Sequence, residues 1–132
     1  MSVNTTRQVY GWLVSSSSVT SLIPQNDIKI GYPRVEDNFP CITITPAGGV
    51  SYGYLGYGTA NTGSKIRRED SIIQIDVWSK NGFYETDNVS EEITKVMISG
   101  TCREQSANNF YNDETGLYRR NMSYSYVYFH ND

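Results

Sequence analysis

The sequence predicts an α+β fold: an antiparallel or mixed β-sheet packed against two helices, with a long Gly/Tyr-rich loop between two core strands. Three patterns predict it. Ile73, Ile75 and Val77 alternate with Gln74, Asp76 and Trp78, the period of two expected of a half-buried strand. Val89, Ile93, Val96 and Met97 then recur at i, i+4, i+7 and i+8, which puts four apolar side chains on one stripe of a helix. Near the end of the chain, Tyr118, Met122, Tyr124, Tyr126 and Tyr128 fall on one face of a strand, with Arg119, Asn121, Ser123, Ser125 and Val127 on the other.

Taken in order, Thr5 and Gln8 have the spacing of a capping box, and Val9, Trp12 and Leu13 share the face of the helix that follows. The serines from Ser15 to Ser18 weaken that helix by competing for backbone hydrogen bonds, and Pro24 stops the turn containing Val19, Leu22 and Ile23. Ile28 and Ile30 alternate with Lys29 as extended chain, and a loop through Tyr32, Pro33 and Asp37 follows. A strand from Pro40 through Cys41, Ile42, Thr43, Ile44 and Thr45 is closed by Pro46. Lys80, Asn81 and Gly82 form the polar turn into the second helix, which Gly100 ends with a left-handed cap. The turn Asp113-Glu114-Thr115-Gly116 joins Asn108–Asn112 to Leu117–Phe129 in a terminal hairpin. The expected core is Trp12, Ile42, Ile44, Ile73, Ile75, Val77, Val89, Ile93, Val96 and Met97.

With 132 residues the chain is read as one domain, residues 1–132, able to bury roughly two-thirds of its surface. A net charge of -3 argues against a function that depends on holding nucleic-acid phosphates. No apolar run approaches the ~18 residues that span a bilayer, and the first residues lack the basic flank and apolar block of a signal peptide. A cytoplasmic product is therefore expected, in which Cys41 and Cys102 stay reduced and buried.

Tyrosine is the compositional outlier, at 11 residues against 4 Phe and 2 Trp. Because it covers large area while keeping a polar tip, this enrichment points toward protein interfaces. Residues 47–65 interleave Tyr52, Tyr54 and Tyr57 with six glycines and carry no core periodicity. They are either a mobile hairpin loop or an arm that orders against a partner subunit. A phosphate-cradling loop fits poorly, because no Lys-Ser/Thr pair follows the glycines. The candidate subunit-interface residues are Tyr52, Tyr54, Tyr57, Arg67, Arg68, Tyr124 and Tyr126. The strand tyrosines also have a simpler reading, as cover for the helices.

No catalytic constellation emerges, and no catalytic, metal-binding or cofactor-binding residue is expected. The one histidine, His130, stands at the terminus, and two cysteines some sixty residues apart lack the close spacing of a zinc site. Among Asp76, Glu85, Asp87, Glu91 and Glu92, the last two point in different directions on a helix and belong to its solvated face. Arg67-Arg68 and Arg119-Arg120 each split into one arginine per sheet face, which gives no continuous basic stripe.

The order of elements resembles the tail-completion (tail-terminator) proteins of long-tailed bacteriophages over nearly the whole chain. The matching residues are Val9, Trp12 and Leu13 in the first helix and Pro40-Cys41-Ile42-Thr43-Ile44 in a core strand. Gln74-Ile75-Asp76-Val77-Trp78-Ser79 leading into a helix with Val89 and Ile93 is the distinctive part, and Tyr118-Arg119-Arg120 opens the last strand. The resemblance implies a virion protein of the tail and neck, assembled in the host cytoplasm as a homo-hexameric ring. Such a ring closes the tail tube and meets the head connector or stopper protein, while DNA passes its lumen without specific binding. The Gly/Tyr loop is longer and more aromatic than in the family pattern. A different reading stays open, a small binding module whose Tyr/Gly loop contacts glycan or single-stranded nucleic acid.

Overall fold

The computed structural model describes the backbone at residues 2–31, 38–57 and 65–131, and side chains at residues 5–31, 38–48 and 70–127. Two helices, α1 (Ser2–Ser15) and α2 (Ser17–Thr20), and a 3₁₀ turn at Gln25–Asp27 lead into the strands β1 (Ile28–Ile30), β2 (Cys41–Tyr57) and β3 (Lys65–Ser79). Helix α3 (Phe83–Ser99) and the hairpin β4 (Arg103–Asn112) and β5 (Leu117–Asn131) complete the chain. The sheet order is β1-β2-β3-β5-β4, with β1 parallel to β2 and the other pairs antiparallel. The sheet is therefore mixed, as an α+β fold allows.

The helices share one face of the sheet. Val9 and Leu13 of α1, Val19 of α2 and Val89, Ile93 and Met97 of α3 bury themselves against Ile42, Ile44, Ile73, Ile75, Val77, Met122 and Tyr124. Trp12 and Val96 are half-buried at the margin of this cluster. Each fully buried Ile or Leu contributes roughly 1.5–3 kcal/mol, so this single seam holds the domain together.

Several local expectations are corrected. Helix α1 begins at Ser2, so Thr5 lies inside it, buried rather than capping. The serine run ends one helix and starts another: the Ser16 side chain accepts from the Val19 backbone N–H at 3.4 Å and caps α2. Ile28 and Ile30 alternate with Lys29 as expected, but only Ile28 is buried; Ile30 is 49% exposed, because β1 is an edge strand that runs out at that point. Pro46 does not close β2. The strand continues to Tyr57 and pairs with β3, shifting register between Pro46 and Gly48. Pro46 is accommodated because the last β1–β2 pair is Ile30 with Ile44, so no ladder bond is required of its missing N–H on the outer side. Much of the expected loop at 47–65 is therefore strand. Residues 58–64 of it lie outside the described residues. The hairpin strand also starts earlier than expected, at Arg103.

The end of α3 is corrected as well. Gly100 has φ -83°, and the left-handed residue is Thr101, with φ 64°. Cys102 N–H donates to Met97 O at 2.9 Å and Thr101 N–H to Ile98 O at 3.0 Å, the two bonds of a Schellman motif. Met97 and Cys102 are both buried, which supplies the apolar contact that accompanies that motif.

Candidate functional site

The face of the sheet turned away from the helices carries a polar and aromatic cluster built by strand register. Asp76 of β3 stands between Thr43 of β2 and Asn121 of β5, and Trp78 stands between Cys41 and Arg119. On β4, Phe110 is opposite Arg119. Asp76 was expected on the open side of a half-buried strand, yet its side chain is wholly buried. Its carboxylate accepts from Arg119 Nε at 3.0 Å, Asn121 Nδ2 at 2.7 Å, the Arg119 terminal nitrogen at 3.3 Å and Gln74 Nε2 at 3.3 Å. Both oxygens are thus occupied by donors, as a buried charge requires.

Arg119 is held in turn by aromatic surfaces. Its guanidinium carbon lies 5.0 Å from the Trp78 ring centre and 5.7 Å from that of Phe110, within cation–π range. Trp78 is anchored by its indole N–H, which donates to Thr43 Oγ1 at 2.8 Å. Next to this cluster, the β4–β5 turn frames a groove of about 690 Å³ whose lining includes Trp78, Phe110, Tyr111, Leu117 and Arg119 together with Asp113 and Glu114. A rigid patch of this kind suits recognition by packing and charge. A carboxylate whose lone pairs are already filled is poorly placed to take a proton from a substrate. Among the described residues, no group of three or more His, Cys, Asp or Glu side chains is arranged to hold a metal ion.

The candidate interface residues fall into different settings. Tyr124 is corrected: it is fully buried under α3, and its hydroxyl shares a 2.9 Å hydrogen bond with Thr94 Oγ1, so it has no surface to offer a partner. Burial pushes its pKa up, with the Thr94 hydrogen bond acting in the opposite sense. Tyr126 is half-buried, edge-on to Trp12 at 6.1 Å and 82°. The side chains of Tyr52, Tyr54, Tyr57, Arg67 and Arg68 lie outside those described; along the backbone, Tyr54 is opposite Arg67 and Tyr57 is opposite Lys65. Arg119 and Arg120 do separate across the sheet, with Arg120 3.5 Å from Asp87 of α3. Glu92 pairs with Lys95 at 3.1 Å, and Glu85 accepts from the Ser79 hydroxyl at 2.6 Å, which ties the β3–α3 turn.

Sequence reasoning missed Asp76, Arg119, Asn121 and Phe110 as one unit. The available signal was a carboxylate in mid-strand and an arginine on another strand, and only register brings them into contact.

Comparison with known proteins places this geometry in a family setting. A family model described as Tail completion protein gp17 matches residues 7–128. Among solved structures, a chain from the virion of a native gene transfer agent (GTA) particle has a similar fold, with TM-score 0.58 and 9% sequence identity. The match covers 89% of this chain and 88% of that chain, and at such identity the likeness is one of fold. No curated protein matches.

Proposed function

This chain belongs to the tail completion protein family, and from that premise we propose that it forms a homo-hexameric ring at the head-proximal end of a phage tail. There it ends growth of the tail tube and joins the tail to the head connector. The observation that carries the proposal is the family match over residues 7–128. The fold shared with a chain of a gene transfer agent virion supports it.

The physical logic is that of closed symmetry. Identical rings stacked into a tube present the same edge at every layer, so stopping the stack takes a subunit whose second face differs from its first. Here one sheet face is covered by helices and the other carries the Trp78–Arg119–Phe110 patch, so the two sides of the domain are chemically distinct. A net charge of -3 also suits a lumen through which DNA moves without being held.

Electron micrographs of particles assembled without this chain test the proposal. Overlong tails, or tails not attached to heads, are expected. Tails of normal length firmly joined to filled heads would rule it out. A protein that contacts glycan or single-stranded nucleic acid would instead leave the tails intact and alter adsorption or genome handling.

A further inference from the structure

Strand β4 is an open edge of the sheet: among the described residues it pairs with β5 alone. All of its residues are exposed except the half-buried Ala107, including Phe110 at 51% and Tyr111 at 49%. Soluble proteins usually blunt such an edge with charge, proline or shortness, because it templates pairing with another chain. This one has ten residues, about 34 Å of edge, and from Gln105 to Asn112 it holds neither charge nor proline. A bulge between Glu104 and Ser106, next to Arg103 and Glu104, marks where the protected part stops.

The other end of the same sheet has a matching feature. β1 covers β2 only from Ile42 to Ile44, so the outer edge of β2 from Pro46 to Tyr57 pairs on its β3 side alone among the described residues. The whole of β2 is free of charged residues, and the stretch of it beyond β1 has Val50, Tyr52, Tyr54, Leu55 and Tyr57 in its sequence.

We infer that β4 of one subunit pairs with the outer edge of β2 in a second copy of this chain, joining their sheets head to tail. Two different edges at opposite ends of one sheet make a heterologous contact, the kind that can close into a ring. Length, absence of charge and aromatic content agree between the two edges, and cross-strand aromatic pairs add to the backbone bonds. The register shifts between Pro46 and Gly48, and on either side of Tyr54, bend the β2 edge, so successive sheets meet at an angle instead of extending as a flat ribbon. The inference deepens the ring reading and rests on it.

Hydrogen exchange of the full chain, free and assembled at high concentration or on tail tubes, with mass measured in parallel, tests it. The outward amides of β4 and of residues 47–57 exchange freely in the single subunit and slow on the order of 100-fold or more on assembly. Protection at both edges supports the inference. Assembly with β4 amides still fast overturns it while leaving the ring reading standing. Protection of β4 without β2 assigns a different occupant and overturns it, as does protection that appears only with tube protein and without self-association. No self-assembly under any of these conditions overturns both. A second measurement uses Ser106→Lys with Asn108→Lys, at two exposed positions on one face of the edge. The variant subunit melts like the parent and loses assembly; a variant that assembles fully overturns the inference.

Discussion

A Cβ atom built on Gly100 would stand 2.5 Å from Cζ3 of the Trp12 indole, closer than side chains pack. Glycine is required here for space, since its φ of -83° is open to every residue. The contact fixes the C-terminus of α3 against α1, beside a groove of about 570 Å³ that Trp12 and Val96 help to line.

Gly100→Ala is therefore expected to destabilise the domain by roughly 1–3 kcal/mol, the usual cost of overpacking. Thr101→Gly moves the other way, by up to about 1 kcal/mol, because the left-handed residue at this cap is a threonine. Urea denaturation of the two variants checks the pair, and opposite shifts of the midpoint are the expected result.

Among the described residues, removing Arg119 leaves the buried Asp76 carboxylate with only Asn121 and Gln74 as side-chain donors. Arg119→Ala is expected to cost roughly 2–4 kcal/mol, somewhat below a fully buried pair because Arg119 keeps 29% of its side chain exposed. The double variant Asp76→Ala with Arg119→Ala costs less than the sum of the two single changes, since the arginine deletion no longer strands a charge. A double-mutant cycle by chemical denaturation measures that coupling. Strict additivity would show that the two side chains do not depend on one another.

Stability is also expected to fall at alkaline pH. Burial pushes the Cys102 thiol from 9.0 up to about 11, and burial raises Tyr124 as well. In the unfolded chain these groups lose their protons first, so above pH 9 the folded state binds more protons than the unfolded one. The Cys102 contribution is complete below that point and is lost as pH climbs toward about 11, and Tyr124, raised from 10.0, adds to the decline in the same direction. Cys102→Ala removes the thiol's share. Thermal melts of parent and variant across this range check it, with a shallower alkaline decline expected for the variant.

How much of this was legible in the sequence differs from residue to residue. Ile73, Ile75 and Val77 and the stripe of Val89, Ile93 and Met97 announced strand and helix because burial on one side imposes a period of two or of 3.6 on the chain itself. The β4–β5 turn was equally local: Gly116 takes φ 68°, and Asn112 accepts from the Glu114 N–H at 2.9 Å. These features follow from interactions among near neighbours.

Other features depended on partners far away in the chain. Pro46 looked like a strand end, and whether it is one depends on where β1 stops. Gly100 looked like a left-handed cap, and its actual role is set by a tryptophan 88 positions earlier. Tyr124 and Tyr126 follow the same alternation, yet α3 covers the first completely and leaves the second half-buried against Trp12.

The sequence by itself determined the α+β class, the amphipathic faces and the family, because apolar periodicity and the run from Gln74 to Ser79 into a helix are properties of contiguous residues. Only the tertiary structure decided that Asp76, Trp78, Arg119 and Phe110 form one patch and that β4 is left as an open edge. Both outcomes come from strand order and register, and pairing between β3 and β5 joins residues 43 positions apart. No local propensity encodes a pairing at that distance; it is settled when the helix-facing side chains of every strand reach the same core at once.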